Sequence, residues 1–117
     1  MEKSVESKVT SLLTSCSKLN RQDRLERLVK LGALSREDVI FLQAGSPVDL
    51  DLAEKFIENV LGYFPLPLGV ATNFKIDGKL YVVPMAVEET SIIAAASKTA
   101  KWLRDNGEIT TEVVGQD

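Results

Sequence analysis

The Asp77-Gly78 pair constrains the fold more than any other feature of the chain. It separates two apolar runs, residues 70–76 and 79–83, and both of its residues tolerate the positive φ angles of a tight turn. We therefore predict an antiparallel hairpin. Its second strand should end at Pro84 or run along a sheet edge there, because proline cannot donate to a ladder. A lone hairpin is marginal in water, so its apolar faces need partners.

Several helices are predicted before the hairpin. Residues 3–16 favour only a weak helix because Ser and Thr are frequent there. Three better helices follow, each with a capping residue before apolar positions at helical spacing. The predicted N-caps are Asn20, Ser35 (as a capping box with Asp38) and Asp49 or Asp51, and the predicted ends are Gly32, Gly45 and Gly62.

A long helix rich in small residues is predicted after the hairpin. Thr90 or Ser91 should cap it, and it should run to about Leu103 and close at Asn106-Gly107. Apolar and polar residues alternate over residues 108–114, which predicts a strand. The expected fold class is therefore α+β: N-terminal helices, a β-hairpin, one long small-residue helix and a final strand.

Composition narrows the possible functions. The 117 residues fit a single domain, and a net charge of −3 argues against binding to nucleic acid. The chain has no run apolar enough to span a membrane and no histidine, the commonest acid–base group. Its one cysteine, Cys16, allows no disulfide within the chain, which favours a cytoplasmic protein.

Positive charge is concentrated in one N-terminal stretch. We interpret it as the solvated face of an amphipathic helix, with binding of a local anionic group, such as a nucleotide phosphate, as the alternative. The residues concerned are Lys18, Arg21, Arg24, Arg27 and Lys30.

The adjacent carboxylates Glu88 and Glu89 are the leading catalytic candidates. They lie between the strand-like run and the long helix, where apolar residues on both sides should bury the junction and fix its geometry. A carboxyl held in this way can act as a proton donor. The alternative is that the pair only complements the N-terminus of the helix.

Two segments together resemble a known family. The first is residues 58–67 followed by Gly69-Val70-Ala71, and the second runs from residue 83 through Glu88-Glu89 to residue 101. In this order and spacing they are similar to the N-terminal part of hydroxymethylglutaryl-CoA (HMG-CoA) reductase, class II, the bacterial and archaeal form. The similarity is weak over residues 17–45 and strong over residues 50–115.

The resemblance implies reduction of a thioester to a primary alcohol by two hydrides from NADPH or NADH. Glu89 matches the catalytic glutamate of the family, which supplies protons to the developing alkoxide. The family's nucleotide-binding segment, and the catalytic lysine, aspartate and histidine, have no counterpart in this chain. The cofactor site is therefore expected outside it.

The resemblance also suggests residues that bind substrate. Ser91 matches a residue lining the hydroxymethylglutaryl pocket, although capping a helix is an equally physical role. Glu58 and Asn59 match a segment at the dimer interface near the acyl-CoA site, and a plain helix end is the alternative. Lys18 falls near a basic residue that contacts CoA phosphate, and a solvent-exposed lysine is the simpler interpretation.

Proton donation sets a physical requirement on Glu89. A carboxylic acid that donates near neutral pH needs a raised pKa, through burial or a neighbouring like charge such as Glu88. A position in the first turn of a helix would instead favour the anion and so lower the pKa. We predict a raised pKa for Glu89 in a complete site.

Three interpretations follow. The leading one is a fragment or truncated relative of the reductase that is inactive alone. Residues 1–117 would then form the N-terminal portion of the large domain, with about 108–117 beginning the small cofactor-binding domain. It would associate as a homodimer or with the rest of a reductase and would contribute to binding acyl-CoA. The alternatives are a non-catalytic dimerisation module and one chain of a split enzyme.

Overall fold

In the part of the chain that the structure describes, four complete α-helices and one two-stranded sheet make up the fold. The structure, a computed structural model, describes residues 9–10 and 12–115. The elements are α1 Arg21–Lys30, α2 Arg36–Gln43, α3 Leu50–Phe56, β1 Leu68–Ile76, β2 Lys79–Ala86 and α4 Ile92–Asn106. Residues 9–10 and 12–13 are also helical, and a 3-10 turn at Cys16–Lys18 follows them. Of the weak helix predicted over 3–16, residues 3–8 and 11 lie outside the described residues. The predicted α+β class is confirmed.

Side-chain caps begin the first three helices where the sequence predicts. Asn20 Oδ1 accepts the Asp23 N–H at 2.8 Å. Ser35 Oγ accepts the Asp38 N–H at 3.1 Å, and Asp38 Oδ2 accepts the Ser35 N–H at 2.8 Å, which completes the capping box. Two hydrogen bonds from Ser35 lower the pKa of the Asp38 carboxyl. The bond from the backbone N–H has the larger effect and the bond from the hydroxyl the smaller one. Asp49, rather than Asp51, caps α3.

Helix α3 is shorter than predicted. It ends at Phe56, and Ile57 is already extended with φ −138°, whereas helical spacing predicted continuation to Gly62. The side chains of Phe56 and Ile57 are both exposed. Because no described residue covers this face, extending the helix would bury no further apolar surface, and the amphipathic pattern alone does not stabilise it.

The hairpin forms around Asp77-Gly78 as predicted. Its second strand continues past Pro84, which pairs with Val70, and ends at Ala86. Proline is tolerated because each strand of a two-stranded sheet has an open edge. A bulge interrupts β1 between Ala71 and Phe74, where Asn73 is left-handed with φ 72°.

Helix α4 packs against β1. Ala71 and Ala100 are 0% and 1% exposed, so small side chains allow the close approach. A Cβ added at Gly69 would lie 2.5 Å from Ile93 Cδ1. The helix closes at Asn106-Gly107 as predicted, with the Gly107 N–H donating to the Leu103 carbonyl at 2.8 Å.

The prediction of a final strand over residues 108–114 is wrong. Only Ile109 pairs, in a single parallel bridge with Ile76, and the Asp77 N–H donates to the Ile109 carbonyl at 2.9 Å. Beyond it the Asp77 carboxylate accepts the Thr111 N–H at 2.9 Å and the Thr111 hydroxyl. A side chain at the hairpin turn thus replaces the ladder partner that a strand would need.

The chain exposes much more surface than a compact domain of its size. Its radius of gyration is 17.3 Å, against about 13 Å expected for this length. Its accessible area is 9414 Å², against roughly 6,300 Å² expected for its mass. Leu61 and Phe64, which are 102% and 89% exposed, lie in the 56–68 segment, which we call the exposed apolar segment.

No helix in the described part of the chain is both long and apolar enough to cross a membrane.

Candidate functional site

The candidate site is the turn between β2 and α4. Glu88 and Glu89 follow the last paired residue, Ala86, and precede the first helical residue, Ile92. One end of this turn is fixed by the Val87 N–H, which donates to the Pro67 carbonyl at 3.1 Å. This bond places the turn beside the end of the exposed apolar segment.

The expectation that this junction buries the two carboxylates is wrong for the chain as described. Glu88 and Glu89 are both exposed, and among the described residues neither makes a hydrogen bond or an ion pair. Their neighbour Val87 is half-buried, but the turn lies beyond the end of the β-ladder and nothing described packs over it. Glu89 is also three residues before α4, whose first turn holds no acidic residue. The alternative role, as a complement to the nearby helix N-terminus, stays a prediction.

Ser91 occupies the N-cap position of α4 but does not cap it. Its backbone is left-handed, with φ 71° and ψ −5°, and its side chain makes no capping hydrogen bond. A capping side chain requires extended backbone at this position. The predicted capping by Thr90 or Ser91 is therefore wrong, and the Ser91 hydroxyl is available for another partner.

The predicted residues from the other segment lie just after α3. Glu58 is exposed, and the exposed Asn59 is left-handed with φ 56°. Asparagine is one of the few residues that tolerate this conformation. Asn59 and Ser91 are thus two predicted site residues whose backbones occupy a sparsely populated region, which is typical of functional sites but not specific to them.

The N-terminal basic residues are only partly a solvated face. Lys18, exposed, ends the 3-10 turn. Arg21 Nη2 donates to the Leu42 carbonyl at 2.6 Å, Arg24 Nη2 to the Leu19 carbonyl at 2.6 Å, and Arg27 Nη1 to the Leu12 carbonyl at 2.9 Å. Arg24 and Arg27 are half-buried. The interpretation as a solvated helix face is therefore wrong for these two residues. Their guanidinium groups join α1 to the preceding segment.

A largely apolar cavity of about 830 Å³ separates α1 and α2 from the hairpin. None of the predicted site residues lines it. Its wall residues include Leu25, Leu28, Leu42, Tyr63, Val70 and Val82. Among the described residues no group of three or more His, Cys, Asp or Glu side chains is arranged to hold a metal ion.

A second cluster of charges was not predicted from the sequence. Lys98, Lys101 and Arg104 line another cavity together with Arg24. The signal was present in the sequence, because three cations recur at intervals of three residues on α4.

Comparison with known proteins identifies the family. The family model for hydroxymethylglutaryl-coenzyme A reductase matches residues 20–117. The 3-hydroxy-3-methylglutaryl-coenzyme A reductase of Archaeoglobus fulgidus is 46% identical over 108 residues, which are 92% of this chain and 24% of that protein. A probable reductase of Borreliella burgdorferi is 39% identical over 72 residues, 62% of this chain and 16% of that protein.

Solved structures agree. A 3-hydroxy-3-methylglutaryl-coenzyme A reductase from Streptococcus pneumoniae superposes with a TM-score of 0.80 at 34% identity, covering 89% of this chain and 25% of that one. The class II enzyme from the same organism, bound to NADPH in open conformations, matches with a TM-score of 0.80 at 33% identity, covering 89% and 28%. The chain thus spans about a quarter of the length of these relatives. The resemblance carried by the two sequence segments is confirmed, and the chain belongs to the hydroxymethylglutaryl-CoA reductase family.

Proposed function

We propose that this chain supplies the proton-donating glutamate, and part of the acyl-CoA and subunit-contact surface, of an HMG-CoA reductase. The reaction consumes HMG-CoA, two NAD(P)H and two protons, and it yields mevalonate, CoA and two NAD(P)⁺. The observation that carries the proposal is the exposed Glu88-Glu89 turn, which the Val87–Pro67 hydrogen bond holds beside the exposed apolar segment.

Rigid support of the turn favours this role. At the β1 bulge the buried Thr72 N–H donates to Ser97 Oγ at 3.0 Å, and Asn73 Nδ2 donates to the Ser97 carbonyl at 3.2 Å. These bonds fix the hairpin relative to α4, and the turn joins these two elements. A catalytic side chain held by such elements keeps its position better than one on a long loop.

Completion of the site would change the environment of Glu89. Further polypeptide or acyl-CoA packed on the exposed apolar segment would also cover the neighbouring turn and exclude water from it. Burial favours the uncharged form of a carboxyl, and Glu88 adds the repulsion of a like charge. Glu89 would then hold a proton to give to the thioester carbonyl oxygen as the first hydride arrives. It would take that proton back when the hemithioacetal breaks down to the aldehyde and CoA, whose thiolate a group outside this chain would protonate. It would give the proton again to the aldehyde oxygen with the second hydride and then be reprotonated from solvent.

The other predicted residues take supporting roles. Ser91, with a hydroxyl that caps nothing, would contact the hydroxymethylglutaryl group. Glu58 and Asn59 would border the acyl-CoA site at the subunit contact, and Lys18 would meet a CoA phosphate. Exposure of all four side chains in the described chain is compatible with binding a ligand or partner.

The reductant is proposed to be NADPH or NADH, bound by residues outside this chain, and the NADPH-bound relative supports NADPH.

Residues 1–117 would belong to the large domain, with about 108–117 beginning the small domain. The loss of regular pairing after Ile109 fits such a boundary. The single free cysteine, Cys16, fits a cytoplasmic protein.

The exposed apolar segment supports association with a second copy or with the rest of a reductase, because a large contiguous apolar surface marks a contact site. Two alternative functions would use the same surface. A non-catalytic dimerisation module would self-associate without binding HMG-CoA or CoA. One chain of a split enzyme would become active only when mixed with its partner polypeptide.

A chimeric enzyme tests the proposal. Residues 20–115 would replace the matching segment of the Archaeoglobus fulgidus reductase, and NADPH or NADH oxidation would be followed with HMG-CoA. A chimera that turns over supports the proposed function, since the replaced segment contains the acid and much of the acyl-CoA surface. A folded chimera that binds neither HMG-CoA nor CoA contradicts it and favours the dimerisation module.

A further inference from the structure

After α4 the chain returns to the hairpin turn and is held there by a single residue. The Asp77 N–H donates to the Ile109 carbonyl at 2.9 Å. The Asp77 carboxylate accepts the Thr111 N–H through Oδ1 at 2.9 Å and the Thr111 hydroxyl through Oδ2. We call these three hydrogen bonds between Asp77 and the 109–111 segment the turn clamp.

The carboxylate of Asp77 does more than the hairpin turn requires. The backbone of Asp77 is left-handed, with φ 50°, as a tight turn demands. Asn-Gly and Gly-Gly pairs also form such turns, so a carboxylate is not needed at this position to make the hairpin. Both of its oxygens are instead used on Thr111, a residue 34 positions further along the chain.

Thr111 is the last described residue that is joined to the rest of the fold. Ile109 is half-buried, but Thr110 and Thr111 are exposed, so burial of apolar surface does not hold Thr111 in place. Residues 112–115 are exposed, have no regular structure and make no hydrogen bond within the described chain. The direction of the chain at Thr111 therefore depends on the turn clamp.

The turn clamp lies at the opposite end of the hairpin from Glu89. Strand β2 connects the two ends over eight residues, which at about 3.3 Å per residue separate them by about 25 Å. Polypeptide that continues past Thr111 would have to reach back over this distance to meet Glu89. A swing of about 10° at Thr111 would then displace it by roughly 4 Å, whereas a misplacement of about 1 Å can already lower a reaction rate by roughly 100-fold.

We propose that Asp77 is a positioning residue, which through the turn clamp sets the direction of the chain at Thr111 and so aligns the polypeptide that follows with Glu89. This role rests on the proposed function, in which the following polypeptide carries the cofactor site and the remaining catalytic groups. Asp77 itself touches no reacting atom. The competing explanation is a local contact that only stabilises residues 109–111.

Two substitutions of Asp77 test the clamp in the whole chain. Asp77→Gly removes the carboxylate and keeps a residue that readily adopts the left-handed turn. Asp77→Asn keeps one acceptor oxygen for the Thr111 N–H. We expect the Thr111 amide hydrogen to exchange with solvent roughly tenfold faster in Asp77→Gly, because it loses its acceptor, and at an intermediate rate in Asp77→Asn. Amide exchange followed by NMR gives both rates.

The same substitutions in the chimeric reductase test the positioning role. Asp77→Gly should lower kcat by roughly tenfold and leave KM for HMG-CoA within about twofold, since the clamp lies far from the proposed acyl-CoA surface. Asp77→Asn should recover part of kcat. The matched control is Asp23→Asn, the same loss of charge at an exposed residue of α1. It should keep both constants within about twofold.

Each negative result has a distinct meaning. Equal Thr111 exchange in the wild-type and Asp77→Gly chains would overturn the clamp. Faster exchange with an unchanged kcat, or an equal loss of kcat in Asp23→Asn, would overturn the positioning role and leave only a local contact, which lowers thermal stability but not the turnover of folded enzyme. An unsubstituted chimera that does not turn over would count against the proposed function itself, and the positioning role would fall with it.

Discussion

The backbone N–H of Val87 donates to the carbonyl of Pro67 across 3.1 Å, which joins the end of the hairpin to the exposed apolar segment. The two residues are 20 positions apart in sequence, and Glu88 and Glu89 follow the donor directly. Any surface that covers Leu66 and Leu68, both exposed, would therefore lie close to the carboxylates. The proposed proton donor and the proposed contact surface are therefore neighbours in the fold.

Ser97→Ala should destabilise the chain by about 1–3 kcal/mol, because the buried Thr72 N–H would lose its only described acceptor. Thr99→Ala is the matched control, since Thr99 is exposed on the same helix. It should change the free energy of unfolding by less than about 0.5 kcal/mol. Urea unfolding followed by circular dichroism measures both. Equal effects would mean that the bulge does not depend on Ser97.

Ser91→Gly should stabilise the chain by about 0.5–1 kcal/mol. Its left-handed backbone, at φ 71°, costs a serine more than a glycine, and no capping bond is lost. Thr90→Gly, at the preceding residue of the same turn, should destabilise instead, since Thr90 has no positive φ. Thermal unfolding of the two variants gives the comparison. Destabilisation by both would show that the Ser91 side chain makes a stabilising contact.

The carboxyl of Asp77 should titrate abnormally. Hydrogen bonds from the Thr111 hydroxyl and then from the Thr111 N–H lower its pKa. A lowered pKa means that the folded state binds the proton less tightly than the unfolded state. The stabilising effect is therefore present above the unfolded value of about 3.9 and is lost as the pH falls through the lower folded value.

Thr111→Val removes the hydroxyl donor and should raise the pKa of Asp77 towards its ordinary value. Thr110→Val, at an exposed neighbour, should leave that pKa where it is. Carbon-13 NMR of the Asp77 carboxyl across the acid range measures the shift. If both valine variants titrate like the wild type, the contact between the hairpin turn and Thr111 does not form in solution.

Local signals predicted the local structure well. The capping box at Ser35, the cap at Asn20 and the turn at Asp77-Gly78 each depend on a few neighbouring residues, and all three formed as expected. Boundaries that depend on distant contacts were less predictable. Helix α3 stopped at Phe56 because nothing described covers its apolar face. For β2 the sequence left two outcomes, an end at Pro84 or an edge position there, and the structure has the second.

The site could be located from sequence, but its environment could not. Residue order alone places Glu88 and Glu89 between the hairpin and α4, and the resemblance singles out Glu89. Burial of the pair depends on what packs over residues 87–91, and the described chain leaves them largely open. The left-handed backbone of Ser91 could not be predicted from the sequence either, because a serine just before a helix usually indicates an N-cap with extended backbone.

The most direct test of the central claim is the effect of Glu89→Gln on kcat in the chimeric reductase, with Glu88→Gln as the matched control. Glutamine keeps the size of the side chain but cannot supply a proton. We expect Glu89→Gln to lower kcat by at least roughly 100-fold, as loss of a general acid does, and Glu88→Gln to lower it much less. Equal kcat values in the Glu89→Gln and unsubstituted chimeras would contradict Glu89 as the proton donor.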